Sequence, residues 1–244
     1  MTIDKSPSNK TKLPIDIVSI NCLTPEESIK ALDYSCNFFS FKNSFLFTDK
    51  KIQSPDHKII EIEKFKDLDD YSNFILTLDG YISSNHVLIV QDDGYIINPD
   101  LWSEEFLNYD YIGAPWPKTY TWRKRWSEQR YQKASKNAKK NRVGNGGFSL
   151  RSKKFLKYAS TFSSCNGIAE DVFLCLVNYE KALDYDIKFA PFETALRFSY
   201  EVPLKGKKMQ KEDNNQVLNE QNHFGWHGKR FINSDNLINL KNNV

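Results

Sequence analysis

The chain has 244 residues, 40% hydrophobic and 14% aromatic, enough to bury one sizeable core, so a single α/β domain is expected rather than two small ones. No run reaches the roughly 18 to 20 apolar residues of a spanning helix, and the N-terminal MTIDKSPSNKTK has no apolar stretch like that of a signal peptide, which predicts a cytoplasmic protein. The formal net charge is only +3, yet Lys118 to Arg142 holds ten Lys or Arg against one Glu, so this segment is expected to meet an anionic ligand, a nucleic acid or an acidic membrane surface.

Residues 1–12 are polar and predicted to be disordered. Ile15 to Ile20 is apolar and β-branched enough for a buried strand. Thr24-Pro25-Glu26-Glu27 then reads as an N-cap, a proline in the first turn and an acidic helix start. Phe45 to Asp49 supplies a second strand, and this β-α-β order favours a parallel sheet. His57 to Ile62 resembles a third strand, and Leu68 to Ser83 has apolar residues at helical spacing. Val87-Leu88-Ile89-Val90 is a continuous apolar run, as expected of a central strand covered on both faces. Its C-terminal end should face the site, because open α/β sheets bind ligands there.

The basic stretch 118–142 shows little amphipathic order and is read as a long loop, a loose helix or an insertion. Ser152 to Tyr158 and Glu170 to Leu183 are predicted helices, Ile187 to Pro191 a short strand, and Phe224 to Gly228 a final turn. Cys22, Cys36, Cys165 and Cys175 show no C-x-x-C spacing and read as buried thiols. The Asn-rich residues 233–244 read as a frayed tail.

Four constellations carry candidate chemistry. Gln91 and Asp93 are two apart at a strand end, so alternation aims both to one side and Asp92 to the other. One Asp and a diphosphate can together hold a hard divalent cation, and Gly94 would let the ligand approach; Asp-Asp-Gly is equally a common turn. Glu170-Asp171 at a helix start either answers the helix dipole or supplies a base. His227, between Trp226 and Gly228, is either structural or joins Asp93 in a mixed oxygen and nitrogen set acceptable to Mn²⁺, with Lys229 placed for phosphate. The three glycines of Gly144-Asn145-Gly146-Gly147 would let backbone amides reach a sugar or phosphate. Trp116 is either core or a stacking wall for an acceptor sugar.

Taken in order, Gln91-Asp92-Asp93-Gly94, Asn98-Pro99 with Trp102, Asp110 to Trp116, Val143 to Ser152, Glu170-Asp171, Phe198-Ser199 with Glu201, and Phe224 to Gly228 resemble a mostly uncharacterised family of glycosyltransferase-like proteins with the GT-A fold. The resemblance implies a single GT-A-like (Rossmann-like) domain over 13–232, with a central, mostly parallel mixed sheet flanked by helices. It implies a nucleotide-sugar donor, a UDP-sugar being favoured, a Mn²⁺ or Mg²⁺ ion, and transfer with inversion to a hydroxyl of a glycan or glycoconjugate. Asp93 matches the last aspartate of the fold's D-x-D motif, with Gln91 where the first is usual. His227 resembles the histidine that completes the metal site, and Asp171, with Glu170 beside it, resembles the base. Val18 to Cys22, with Asn21 as its donor contact, and Thr48-Asp49 look like the base pocket, and Gln91, Asp92, Gly94 and Lys229 are carried over as donor contacts. Trp116, Asn145, Gly146 and Gly147 are placed at the acceptor or sugar. Nucleic acid is not an expected partner, and 118–142 is open to four readings: a lid ordered by the donor, a dock for an anionic or lipid-linked acceptor, a peripheral membrane contact, or a solvated insertion. A metal-dependent nuclease and a non-catalytic carbohydrate-binding module of the same fold are the alternatives.

Overall fold

The computed structural model describes residues 10–116, 128–201 and 222–228. Its main sheet has six strands in the order β3-β2-β1-β4-β7-β6. They are β1 (Thr11–Ile20), β2 (Phe39–Thr48), β3 (Lys58–Glu61), β4 (His86–Val90), β6 (Tyr111–Gly113) and β7 (Phe148–Ser152), with β5 (Gly94–Ile96) lying outside this sheet. The β1–β2, β1–β4 and β2–β3 pairs are parallel, and only β7 runs antiparallel to its neighbours β4 and β6. This is the expected mostly parallel mixed sheet.

The strand order reverses between β1 and β4, so their carboxyl ends diverge and leave a crevice. Val87, Leu88, Ile89 and Val90 are completely buried and divide between the clusters on the sheet's two faces, which accounts for the unbroken apolar run. Helix α1 (Pro25–Phe38) follows β1, with Pro25 in its first turn as predicted. Helix α2 (Leu68–Ile75) is capped by Asp67, whose side chain accepts from the Asp69 and Asp70 amides.

Several boundaries differ from the sequence reading. β1 starts at Thr11, inside the stretch expected to be disordered, and β2 starts at Phe39, because Thr11 to Leu13 pair with Phe39 to Phe41. The helix expected to run to Ser83 stops at Ile75. Its bonding tightens to i→i+3, as in Thr77 N–H to Phe74 C=O and Tyr81 N–H to Leu78 C=O, ending in a 3₁₀ turn (Leu78–Gly80). The basic segment contains helix α3 (Glu128–Asn137), the rest of 118–127 lying outside the described residues. Ala134 anchors α3 by burial, and the Asn137 amide donates to Leu176 C=O (2.9 Å) and Glu180 (2.8 Å).

Helix α4 (Lys153–Ala159) begins at its Ser152 cap. The helix expected over Glu170–Leu183 is broken. One turn, α5 (Glu170–Val172), gives way to a π-turn (Phe173–Val177), and α6 (Tyr179–Asp184) follows. The Asn178 backbone and side-chain N–H groups both close on Phe173 C=O at 3.0 Å, which fixes the wide turn. Ile187 to Pro191 makes a single bridge from Phe189 to Tyr111, not a strand.

The expected final turn is instead strand β9 (Gly225–His227), in a small sheet of order β5-β9-β8 with β8 (Ser199–Tyr200). The tail 233–244 lies outside the described residues.

Candidate active site

Register is what builds the site. Antiparallel pairing of β9 with β5 sets His227 opposite Gly94, immediately beside Asp93. His227 Nε2 lies 3.2 Å from Asp93 Oδ1 and 3.0 Å from Gln91 Oε1. Nδ1, on the other side of the ring, faces Glu201 at 3.6 Å. Burial alone would lower the imidazole pKa, but the Asp93 and Glu201 carboxylates outweigh it and push it up to about 10. Two residues 134 positions apart in the chain therefore meet, as the sequence reading required.

Gln91 and Asp93 share a side by a route that differs from strand alternation. β4 ends at Val90, and Gly94 N–H closes a turn on Gln91 C=O at 2.9 Å. The turn reading of Asp-Asp-Gly is therefore the observed one, and the turn leaves Gln91 and Asp93 both beside His227. Asp92 points elsewhere, toward the Thr24 hydroxyl at 3.4 Å. The Gln91 amide N–H₂ donates to the Tyr71 hydroxyl at 2.9 Å, so this one side chain joins α2 to His227.

The loop 144–147 needs its glycines for a different reason from the one expected. A Cβ on Gly147 would lie 2.1 Å from His227 Nε2, one on Gly146 2.6 Å from Glu170 Oε1, and one on Gly144 2.4 Å from the Trp116 ring. The glycines make room for the protein's own side chains, so the expectation of backbone amides turned to a ligand is corrected. Gly146 N–H goes to Asp171 Oδ2 (3.2 Å) and Gly147 N–H to Asn145 Oδ1 (3.2 Å). Asn145 is itself buried. Trp116 is only 3% exposed and belongs to the core cluster, which corrects its alternative placement as a sugar-stacking wall.

Glu170 and Asp171 are separated by their surroundings. Glu170 is buried against Arg151, with 2.6 Å between Oε1 and Nη2. Its charge is therefore spent on an internal ion pair. Asp171 is half-buried and among the described residues makes no salt bridge; burial first, and then the Glu170 charge, push its pKa up to about 8. Gly146 and Gly147, adjacent in the chain, seat Asp171 and His227 respectively.

A cavity of about 320 Å³ opens where β1 and β4 diverge, lined by Asn21, Thr24, Phe65, Lys66, Tyr71 and Asp92 among others. Of the residues expected to form the base pocket, Ile20, Asn21 and Cys22 line it, and the Asn21 side chain has a local task. Its amide is consumed in shaping the loop, accepting from Leu23 and Thr24 N–H and donating to Thr24 and Ser28. Thr48 is fully buried and accepts from Lys50 N–H, and neither Thr48 nor Asp49 lines the cavity. Lys229 lies outside the described residues. Tyr71, Arg151 and Glu201 were assigned no role in advance; Arg151 and Glu201 at least stood inside quoted motifs, whereas nothing in the α2 sequence distinguishes Tyr71.

A family model described as a protein of unknown function, DUF5672, matches residues 56–227. The chain belongs to this family. The match takes in Gln91, Asp93, Asp171 and His227, so the whole cluster lies within the DUF5672 region. No curated protein is detectably similar. Among solved structures, an active-site mutant of LgtC is 13% identical, with 94% of this chain and 96% of that one covered and a TM-score of 0.51. A galactosyltransferase LgtC in complex with donor and acceptor sugar analogs is 11% identical over the same shares, with a TM-score of 0.47. The inositol-1-phosphate CTP transferase from T. maritima is 14% identical over 71% of this chain and 83% of that one, at 0.45. At such identities the mutant LgtC structure shows a shared GT-A-type fold and nothing finer about this DUF5672 chain.

Proposed function

We propose that the chain is a glycosyltransferase that moves a sugar from a nucleotide-diphosphate-sugar, a UDP-sugar being favoured, to a hydroxyl of a glycan or glycoconjugate with inversion. One observation carries the reading: Gln91, Asp93 and His227 meet within 3.2 Å beside the switch-point cavity, and Asp171 is held on the adjoining glycine. The nucleoside would occupy the cavity between Phe65, Tyr71 and Lys66, with the diphosphate directed toward Asp93.

Among the described residues no group of three or more His, Cys, Asp or Glu side chains is arranged to hold a metal ion. A pair does suit one when substrate phosphate completes the shell. The Asp93 carboxylate and the His227 imidazole, 3.2 Å apart, are a mixed oxygen and nitrogen donor set of the kind Mn²⁺ accepts. Asp93 and His227 would hold Mn²⁺ or Mg²⁺, with Glu201 orienting the ring from behind. When bound, such an ion neutralises the charge of a departing diphosphate. Asp171 would take the proton of the acceptor hydroxyl, its raised pKa suiting a base that works near neutral pH. Lys133, Lys136, Lys139 and Lys140 are exposed on and just beyond α3, which packs beside the π-turn that follows Asp171, and would favour an anionic acceptor or membrane surface.

The test has two parts. Nucleotide sugars are screened by thermal shift with and without Mn²⁺, since a ligand of the native state raises the melting point. Transfer is then measured for Asp171→Asn. We expect the variant to keep the donor-induced shift and to lose about 10²- to 10⁴-fold in rate. Unchanged turnover would remove Asp171 from the base role, and no shift with any nucleotide sugar would end the reading.

A further inference from the structure

Away from this site, the outer part of the sheet holds a second polar array. Ser44 Oγ lies 2.8 Å from His57 Nδ1, and His57 Nε2 lies 2.8 Å from Asp33 Oδ1. These residues come from β2, the loop before β3, and α1. The His57 ring is 1% exposed, so it is locked in place. The Asp33 carboxylate only accepts, so Nε2 carries the ring proton and Nδ1 is left as an acceptor for the Ser44 hydroxyl. That is a nucleophile, a base and a residue orienting the base, each within hydrogen-bond reach of the next.

Of the three, Ser44 reaches a cavity of about 430 Å³, which it lines together with Cys36, Asn43, Lys10, Lys42 and Lys58. Asp56 is the acidic residue on that wall, so cations outnumber anions three to one. β3 pairs with β2 only over Phe45 to Thr48, so among the described residues Phe39 to Ser44 has no strand on that edge. Peptide N–H groups of this edge and the lysine ammoniums are the donors available to an oxyanion.

We propose that this cavity is a second catalytic site, in which Ser44 hydrolyses a small carboxylic ester that carries an anionic group. Ser44 Oγ bonds to the ester carbonyl carbon and passes its proton to His57 Nδ1. The alkoxy C–O bond breaks, and the leaving oxygen takes that proton. Water then adds to the acyl carbon, giving a proton to His57; the bond to Oγ breaks, Ser44 is reprotonated and a carboxylic acid is released. Asp33 acts as a positioning residue, since it touches only the base.

The full chain is treated with a fluorophosphonate probe and mapped by peptide mass spectrometry, and hydrolysis of mono(4-nitrophenyl) succinate is compared with that of the neutral 4-nitrophenyl acetate. An adduct on Ser44, faster cleavage of the anionic ester, and a loss of roughly 100-fold in both Ser44→Ala and Asp33→Asn are expected. Asp33→Asn keeps the shape but favours the wrong tautomer, so it should also abolish labelling while the melting curve stays cooperative. A folded chain without an adduct on Ser44, or Ser44→Ala cleaving as fast as wild type, would overturn the proposal and leave the array as a tie between α1 and β2. Neither result bears on nucleotide-sugar transfer.

Discussion

Asp171 and Glu170 show how one residue's neighbours decide its chemistry. Adjacent carboxylates share a helix start, but Arg151 neutralises the first and burial raises the pKa of the second to about 8. Glu170, Glu201 and Arg151 are the charged groups acting on Asp171, and the two carboxylates together with burial outweigh the arginine. The folded chain therefore holds a proton that the unfolded chain has released between its ordinary 3.8 and about 8. The stability this contributes is complete below that window and is lost as pH rises through about 8. Urea midpoints measured across the window should fall with pH in wild type and fall less in Asp171→Asn. The rate of transfer, which needs the ionised base, should rise over the same range. Gly147 makes a steric prediction. Gly147→Ala puts a methyl 2.1 Å from His227 Nε2, and overpacking of this kind costs about 1–3 kcal/mol. Calorimetry should show that loss, and any Mn²⁺-dependent shift should vanish with it, because His227 must leave Asp93.

At the scale of elements, caps and registers place the site. Asp67 caps α2 through two amides and also lines the cavity. Asp67→Ala should cost about 1 kcal/mol, read from denaturant unfolding, and should weaken nucleotide binding measured by calorimetric titration. Legibility differed sharply between elements. The Pro25-Glu26-Glu27 start of α1 and the apolar run of β4 were readable because a first-turn proline with acidic neighbours and two-sided burial leave local marks, whereas the Thr24 side chain makes no capping hydrogen bond. β9 was not readable, since Gly225-Trp226-His227 is too short to show alternation and extends only because β5 and β8 flank it. The π-turn was hidden as well. Its residues Phe173 to Val177 are all buried, so helical periodicity continues smoothly through the break.

For the whole molecule, the core on both faces of the main sheet holds the crevice open. Leu88 is fully buried in the central strand, and Leu88→Ala should lose about 2–5 kcal/mol, a loss that circular dichroism melts would register. Because β4 carries Gln91 at its end, the same change should weaken donor binding more than its distance from the cavity suggests. Among the described residues no helix is long and apolar enough to cross a membrane.

Composition and periodicity by themselves determined the α/β class and the central strand, because hydrophobic pattern and capping are properties of neighbours in the chain. Tertiary structure alone decided which residues meet. The β5–β9 register brings His227 to Asp93, Arg151 engages Glu170 in a buried ion pair, and the close approach of His227 and Glu170 gives Gly147 and Gly146 their purpose. Distances between segments more than a hundred residues apart depend on how the sheets close, and no local pattern encodes that.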